Sequence, residues 1–297
     1  MGVIWTLTAR LPGDVSEAIA RAAVQAACDR VVAQMSTWEP GSDLWRFGRA
    51  PAGSWMSLPP EFATVMRAAL DLAEKSGGAF DPTLGPLVDL WGFGPAGAVG
   101  HPPAVAVADR PGWRELRLED GRLLQPGGVG LDLSGIAKGF GVDLAFEALA
   151  ALGVRDILLE IGGELRGGGV KGDGEPWWVD VERPPGCDLP EPPIVVALHG
   201  LSIATSGDWR RSFEADGRRY HHTLDPATGA PAADGTCAVT VVHQSCLWAD
   251  AYCTALTVLG SRAEAFAQAN DIAAVIVRRT GCGFSEHVSP AFRRLLD

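Results

Sequence analysis

LDLSGIAKGFGVDLAFEALAALGVRDILLEIGG, residues 131–163, passes from a helix straight into a strand, and its reading decides the fold. The helix is expected to begin near Ser134, to run through VDLAFEALAALG and to stop at Gly153, since glycine readily takes the left-handed conformation that ends a helix. DILLEIGG then follows as a short apolar run of strand length, expected to be buried. Upstream, residues 14–35 read as a helix. Asp14 or Ser16 can cap it, Glu17 lies early, and Val15, Ile19, Ala22, Ala26 and Val31 recur near helical spacing. Pro59-Pro60 opens a second helix over EFATVMRAALDLAEKSGG, closed by Gly77-Gly78. Downstream, WWVDVE, PIVVAL, CAVTVV and AAVIV read as strands, and a further helix covers about Ala249 to Leu259. Helices and strands alternate without strict βαβ regularity. The expected class is therefore α+β, mixed sheets with packed helices, rather than a doubly wound parallel sheet. The proline-rich stretch 184–193 is expected to be a surface loop, and no internal repeat divides the chain.

The 297 residues carry 36 acidic against 25 basic side chains, a net charge of −11, with a pI near 5.0. That balance repels nucleic acid and anionic lipid, so neither is an expected partner. Arg210-Arg211 and Arg218-Arg219 are only short basic pairs. An anionic ligand would thus call for a metal cation to mediate its binding. No run approaches the ~18 apolar residues of a membrane span, and MGVIWTLTARLPGD lacks the features of an export signal. A soluble, unexported, cytoplasmic protein is expected from the chain as it stands. The six cysteines, at 28, 187, 237, 246, 253 and 282, form no CxxC pair, which argues against zinc and for reduced thiols.

Four constellations could carry chemistry. Gly92, Gly94 and Gly97 satisfy G-x-G-x-x-G, but His101-Pro102-Pro103 follows where a helix should open, so the match is accidental. Asp250 and Thr254, four apart on a helix, place two hard oxygen donors on one face. That arrangement suits Mg²⁺, which takes few protein ligands and completes its octahedron with phosphate and water. The plainer reading makes Asp250 a capping residue and Thr254 a buried hydroxyl. In the third constellation, residues 130–139, a helix start could attract phosphate, with Lys138 adding a cation and Asp132 accepting hydrogen bonds. Its plainer reading is a capped helix with a solvated lysine. The fourth is YHHTLDP, residues 220–226, where a turn at Asp225-Pro226 presents His222 as an acid/base candidate.

Taken together, these segments resemble the ApbE-type flavin transferases. The likeness runs through MSTWEPGSDLWRF (35–47), GGAFDPTLGPLVDLWGFGP (77–95), LDLSGIAKGFGVD (131–143), ILLEIGGELRGGG (157–169), ATSGDWRRSFEADGRRYHHTLDPATGAP (204–231) and ADAYCTALTVLG (249–260), in family order. The resemblance implies one catalytic unit over 1–297 that binds FAD with Mg²⁺ at the pyrophosphate. It would pass FMN to a threonine hydroxyl of an acceptor protein and release AMP. It also implies metal ligation by the Gly135 carbonyl, Asp250 and Thr254, and flavin contacts from Met1, Trp38, Ala79, Phe80, Asp81, Asp132, Lys138 and Leu224. His222 and Asp250 are the expected catalytic residues, with Asp225 or Asp208 as substitutes for the histidine. The competing readings are an Mg²⁺-dependent FAD pyrophosphatase with water as acceptor, and a flavin-binding protein without catalysis. Family members are often exported, so the resemblance and the N-terminus point to different compartments.

Overall fold

The computed structural model describes residues 2–103, 112–189 and 192–296. Seven antiparallel strands form the central sheet: β1 (Trp5–Arg10), β2 (Asp156–Ile161), β3 (Glu164–Gly168), β4 (Leu201–Gly207), β5 (Thr236–His243), β6 (Ala273–Thr280) and β7 (Gly283–Val288). They lie side by side in chain order, with helices and small hairpins inserted between them. The α+β expectation is met. β5, the CAVTVV strand, is buried along nearly its whole length because it pairs with β4 and β6 and is covered on both faces. β1 is an addition to the expected strands. It is an edge strand whose residues alternate between half-buried and exposed, so no continuous apolar run announces it.

The helices answer to local signals. α1 (Glu17–Met35) starts where the Ser16 hydroxyl accepts the Ile19 amide at 3.3 Å. α2 (Asp43–Arg49) is short and capped by Ser42. α3 (Pro60–Lys75) has proline in its first turn and buries Phe62, Val65, Met66, Ala69 and Leu72. It ends as Gly78 donates to the Ala73 carbonyl at 2.7 Å, with Gly77 and Gly78 both at positive φ. α4 (Gly85–Leu90) runs into the turn at Gly92, so the glycine motif there has no strand–turn–helix context. α5 (Ala137–Ala151) begins three residues after Ser134, and α6 (Cys246–Leu259) begins three residues before Ala249.

α5 and α6 cross on one face of the sheet. Their approach depends on Gly139, where an added Cβ would meet the Asp250 Cβ at 2.8 Å and run into the Cys246 carbonyl. α1 packs on α5, and Val24, Ala27, Val142, Ala145 and Leu149 form a core with Ile157 and Leu159. The opposite face of the sheet is covered by Trp177, Val196, Leu198 and Phe292. All six cysteines are free thiols. Among the described residues, no helix is long and apolar enough to cross a membrane.

Candidate active site

A cavity of about 360 Å³ opens where the start of α5, the inward face of α6, β4 and the 79–84 loop meet the 210–224 segment. Trp38, Ala79, Phe80, Asp81, Asp132, Gly135, Lys138, His222, Leu224, Asp250 and Thr254 all line it. Met1, the remaining flavin contact that the resemblance implies, lies outside the described residues.

Asp250 does not cap its helix. It is the fifth residue of α6, only 4% exposed, and its Oδ2 accepts the Gly139 amide at 2.9 Å. Among the described residues, Oδ1 has no hydrogen-bond partner. Burial raises the pKa of Asp250, opposed by the Lys138 charge and the Gly139 amide. One turn on, Thr254 contrasts with Thr257, whose hydroxyl donates to the Cys253 carbonyl at 2.8 Å. Thr254 makes no such bond among the described residues and faces the cavity. Gly135 is packed against it, since an added Cβ would sit 2.6 Å from the Thr254 hydroxyl oxygen. The Asp250 carboxylate and the Thr254 hydroxyl therefore share one wall with Gly135, and with the Gly135 carbonyl they would make a hard-oxygen set that fits Mg²⁺. Among the described residues, no group of three or more His, Cys, Asp or Glu side chains is gathered as a metal site.

Lys138 is not a solvated lysine. Its ammonium pairs with Glu164, the first residue of β3, which is 2% exposed. Gly162 and Gly163, at φ 65° and 103°, make the two-residue turn that swings Glu164 back beneath Lys138. Burial alone would depress Lys138, but the charges of Asp250 and Glu164 outweigh it and hold the ammonium above the usual lysine range. Burial drives Glu164 up to about 7 against the pull of Lys138, with the Asp250 charge adding to the rise. A pyrophosphate entering beside Asp250 and Glu164 would bring further negative charge to a region that already holds two carboxylates. A divalent cation there would offset that charge.

Asp132 forms a turn in which its two oxygens accept the Ser134 amide at 2.9 Å and hydroxyl at 3.1 Å. Burial raises its pKa against those bonds. Asp81 is held similarly, with Oδ1 accepting both the amide and the hydroxyl of Thr83. Phe80 is a wall of the cavity and part of the core at 4% exposure, whereas Trp38 is 56% exposed, with the Arg211 guanidinium 5.8 Å from its ring centroid. Trp38 is therefore a face at the mouth and no core residue.

His222 does not have an ordinary pKa. Burial, with the neighbouring His221 and Arg211 charges, lowers it to about 4. Its Nδ1 lies 3.3 Å from the Arg211 carbonyl. A carbonyl only accepts, so Nδ1 carries the proton and Nε2 is left as the acceptor. Asp208 is excluded as a substitute, because its carboxylate pairs with Arg279 and faces a separate cavity. Asp225 closes its own turn by accepting the Ala227 amide at 2.9 Å, and it does not line the site.

Three contributors carry no signal in the sequence that marks them as such. Glu164 is visible there only as the residue after a Gly-Gly turn. Arg211 reads as half of a short basic pair, yet it donates to the Phe93 carbonyl at 2.5 Å. Asp143 caps α6 from α5, accepting from the Ser245 hydroxyl at 2.7 Å and from the Cys246 and Leu247 amides, both at 3.0 Å. Nothing local to α6 points to it.

The family model of ApbE matches residues 1–276. The chain belongs to the ApbE family. A protein named FAD:protein FMN transferase from Vibrio cholerae serotype O1 is 36% identical over 296 residues, covering 96% of this chain and 87% of the relative. One of the same name from Haemophilus influenzae is 35% identical, covering 92% and 82%. Among solved ApbE structures, the apo flavinyl transferase of Pseudomonas stutzeri superposes with a TM-score of 0.89 at 40% identity, covering 98% of this chain and 92% of that one.

Proposed function

We propose that this ApbE-family chain transfers FMN from FAD to a threonine hydroxyl of an acceptor protein and releases AMP. The observation that carries the reading is the shared wall of Gly135, Lys138, Asp250 and Thr254, whose hard oxygens and ammonium suit a magnesium–pyrophosphate. Walls drawn from Val3 to Thr254 support reading the chain as one catalytic unit. Asp250, Thr254 and the Gly135 carbonyl would hold Mg²⁺, which when bound neutralises charge on the transferring phosphoryl group and the leaving AMP. Trp38, Ala79, Phe80 and Leu224 offer the flavin an apolar slot, and Asp81 and Asp132 offer it carboxylate acceptors.

In the transfer, the threonine oxygen forms a bond to the FMN-side phosphorus. The bond from that phosphorus to the bridging oxygen breaks, and AMP leaves with that oxygen. The hydroxyl proton passes to His222 Nε2. An imidazole held near 4 is neutral at pH 7 and open to a proton, and the anionic pyrophosphate would raise its basicity as it enters.

Incubation with FAD, Mg²⁺ and a threonine-bearing acceptor, followed by intact-mass measurement, tests the reading. Acceptor heavier by one FMN moiety supports it. FMN and AMP released with the acceptor mass unchanged would contradict transfer and favour the pyrophosphatase.

A further inference from the structure

The Lys138 ammonium pairs with Glu164 and feels the charge of Asp250, which accepts the amide of the next residue, Gly139, and only one of these two carboxylates faces the cavity. Asp250 lines the site, while Glu164 does not and is buried behind the lysine. The Glu164 Oε1 takes the ammonium, and its Oε2 is buried with no hydrogen-bond partner among the described residues. A half-satisfied buried carboxylate is costly, and the ion pair that Glu164 does make is with the Lys138 ammonium. Asp250 attracts the same ammonium, and an ammonium seated on Asp250 would neutralise the oxygen that a metal needs.

We infer that Glu164 is a positioning residue that holds the Lys138 ammonium away from Asp250 and so keeps that carboxylate open to a divalent cation. The inference rests on the metal reading above and adds to it a competition between ammonium and metal ion for one carboxylate. Glu164 needs no contact with metal or flavin to act. Its place is fixed by the Gly162–Gly163 turn, and the stem of Lys138 is fixed by the first turn of α5.

The test uses the full chain without flavin at pH 8, with Mn²⁺ as the probe and loss of the free-ion EPR signal as the readout. Glu164→Gln should raise the Mn²⁺ Kd at least about fivefold, the scale of coupling between contacting charged groups. Adding Lys138→Met to Glu164→Gln should restore the wild-type Kd, because the competitor has gone. A crystal structure of Glu164→Gln should show the Lys138 Nζ within hydrogen-bond reach of Asp250. Wild-type affinity in Glu164→Gln, persistent weakness in the double variant or an unmoved Lys138 would each overturn the inference. Should Glu164→Gln fail to fold by circular dichroism, Lys138→Met alone decides. It should bind Mn²⁺ at least as tightly as wild type, and looser binding overturns the proposal. Asp250→Ala separates the two levels. If it binds Mn²⁺ like wild type, the metal reading falls and takes this inference with it; if it loses binding while the Glu164 variants behave as wild type, only the inference falls.

Discussion

Asp143 and Asp250 stand on the two crossing helices, one on each, and their carboxylates have opposite fates. Asp143 is saturated, accepting the Ser245 hydroxyl and two α6 amides while it pairs with Arg166 at 2.8 Å. Asp250 accepts one amide, from Gly139, and turns its other oxygen to the cavity. The residue type is the same and the difference lies in the partners. A carboxylate whose acceptor sites are all filled holds scaffold together, whereas one left partly unfilled in a buried wall is available to a ligand.

The largest expected effect falls on the open carboxylate. Asp250→Ala should cut AMP release at least about 10³-fold, since metal stabilisation of the transferring group is worth several kcal/mol. Its melting temperature should hold, because the change removes a buried charge that is only partly satisfied. Full activity for wild type in EDTA-treated buffer would break the comparison at once. Asp143→Ala should do the reverse, lowering stability by about 3 kcal/mol as the α6 cap and the Arg166 partner are both lost. Activity measured on the folded fraction should stay near wild type. Denaturant melts beside AMP assays read both variants, and a catalytic collapse in folded Asp143→Ala would erase the distinction.

His222→Ala tests the second participant in the cavity. Removing a general base typically costs ~10²–10⁴-fold, so turnover should fall by at least about 10²-fold with FAD affinity little changed in a calorimetric titration. Weakened FAD binding with normal turnover would make His222 a binding residue instead. Gly139→Ala sharpens the comparison from the backbone side. The added methyl meets α6 at Asp250 and Cys246, and overpacking of this kind costs about 1–3 kcal/mol. Both stability and metal binding should decline together, whereas a variant with only one defect would uncouple the helix crossing from the site.

A further effect is a drift with pH. The folded pKa of His222, about 4, lies below its ordinary value. Between about 4 and 6.5 the unfolded chain therefore binds more protons at this residue than the folded one. Stability supplied by the neutral imidazole is present above that window and is lost as pH falls through it. Wild type should accordingly lose stability relative to His222→Gln as the pH drops from about 6.5 to 4, with a flat difference at neutral pH and above. A flat difference throughout would contradict the lowered value.

Saturated and open groups also differ in how far the sequence betrays them. α3 is legible because Pro60 and Gly77-Gly78 are local punctuation, and β5 because its apolar run is continuous. Asp250 and Thr254 are legible by their spacing, and the order of the six family segments links them to Gly135 and Lys138. The start of α6 is not legible, because its cap comes from Asp143, more than a hundred residues earlier. The pairing of Lys138 is hidden for the same reason, since its partner Glu164 stands on another element. The depressed His222 pKa depends on burial and on groups assembled by the hairpin Ser212–His221. Short-range chemistry can be read along a chain, but a saturated carboxylate cannot be told from an open one until distant segments meet.

If the open carboxylate holds a metal against the FAD pyrophosphate, the ion itself should be visible there. Anomalous diffraction from a crystal grown with FAD and Mn²⁺ tests this most directly. The predicted result is one peak about 2.1 Å from Asp250 Oδ1, the Thr254 hydroxyl and the Gly135 carbonyl, also touching a pyrophosphate oxygen. A peak away from Asp250, or a pyrophosphate bound in the cavity with no metal beside it at saturating Mn²⁺, would contradict it.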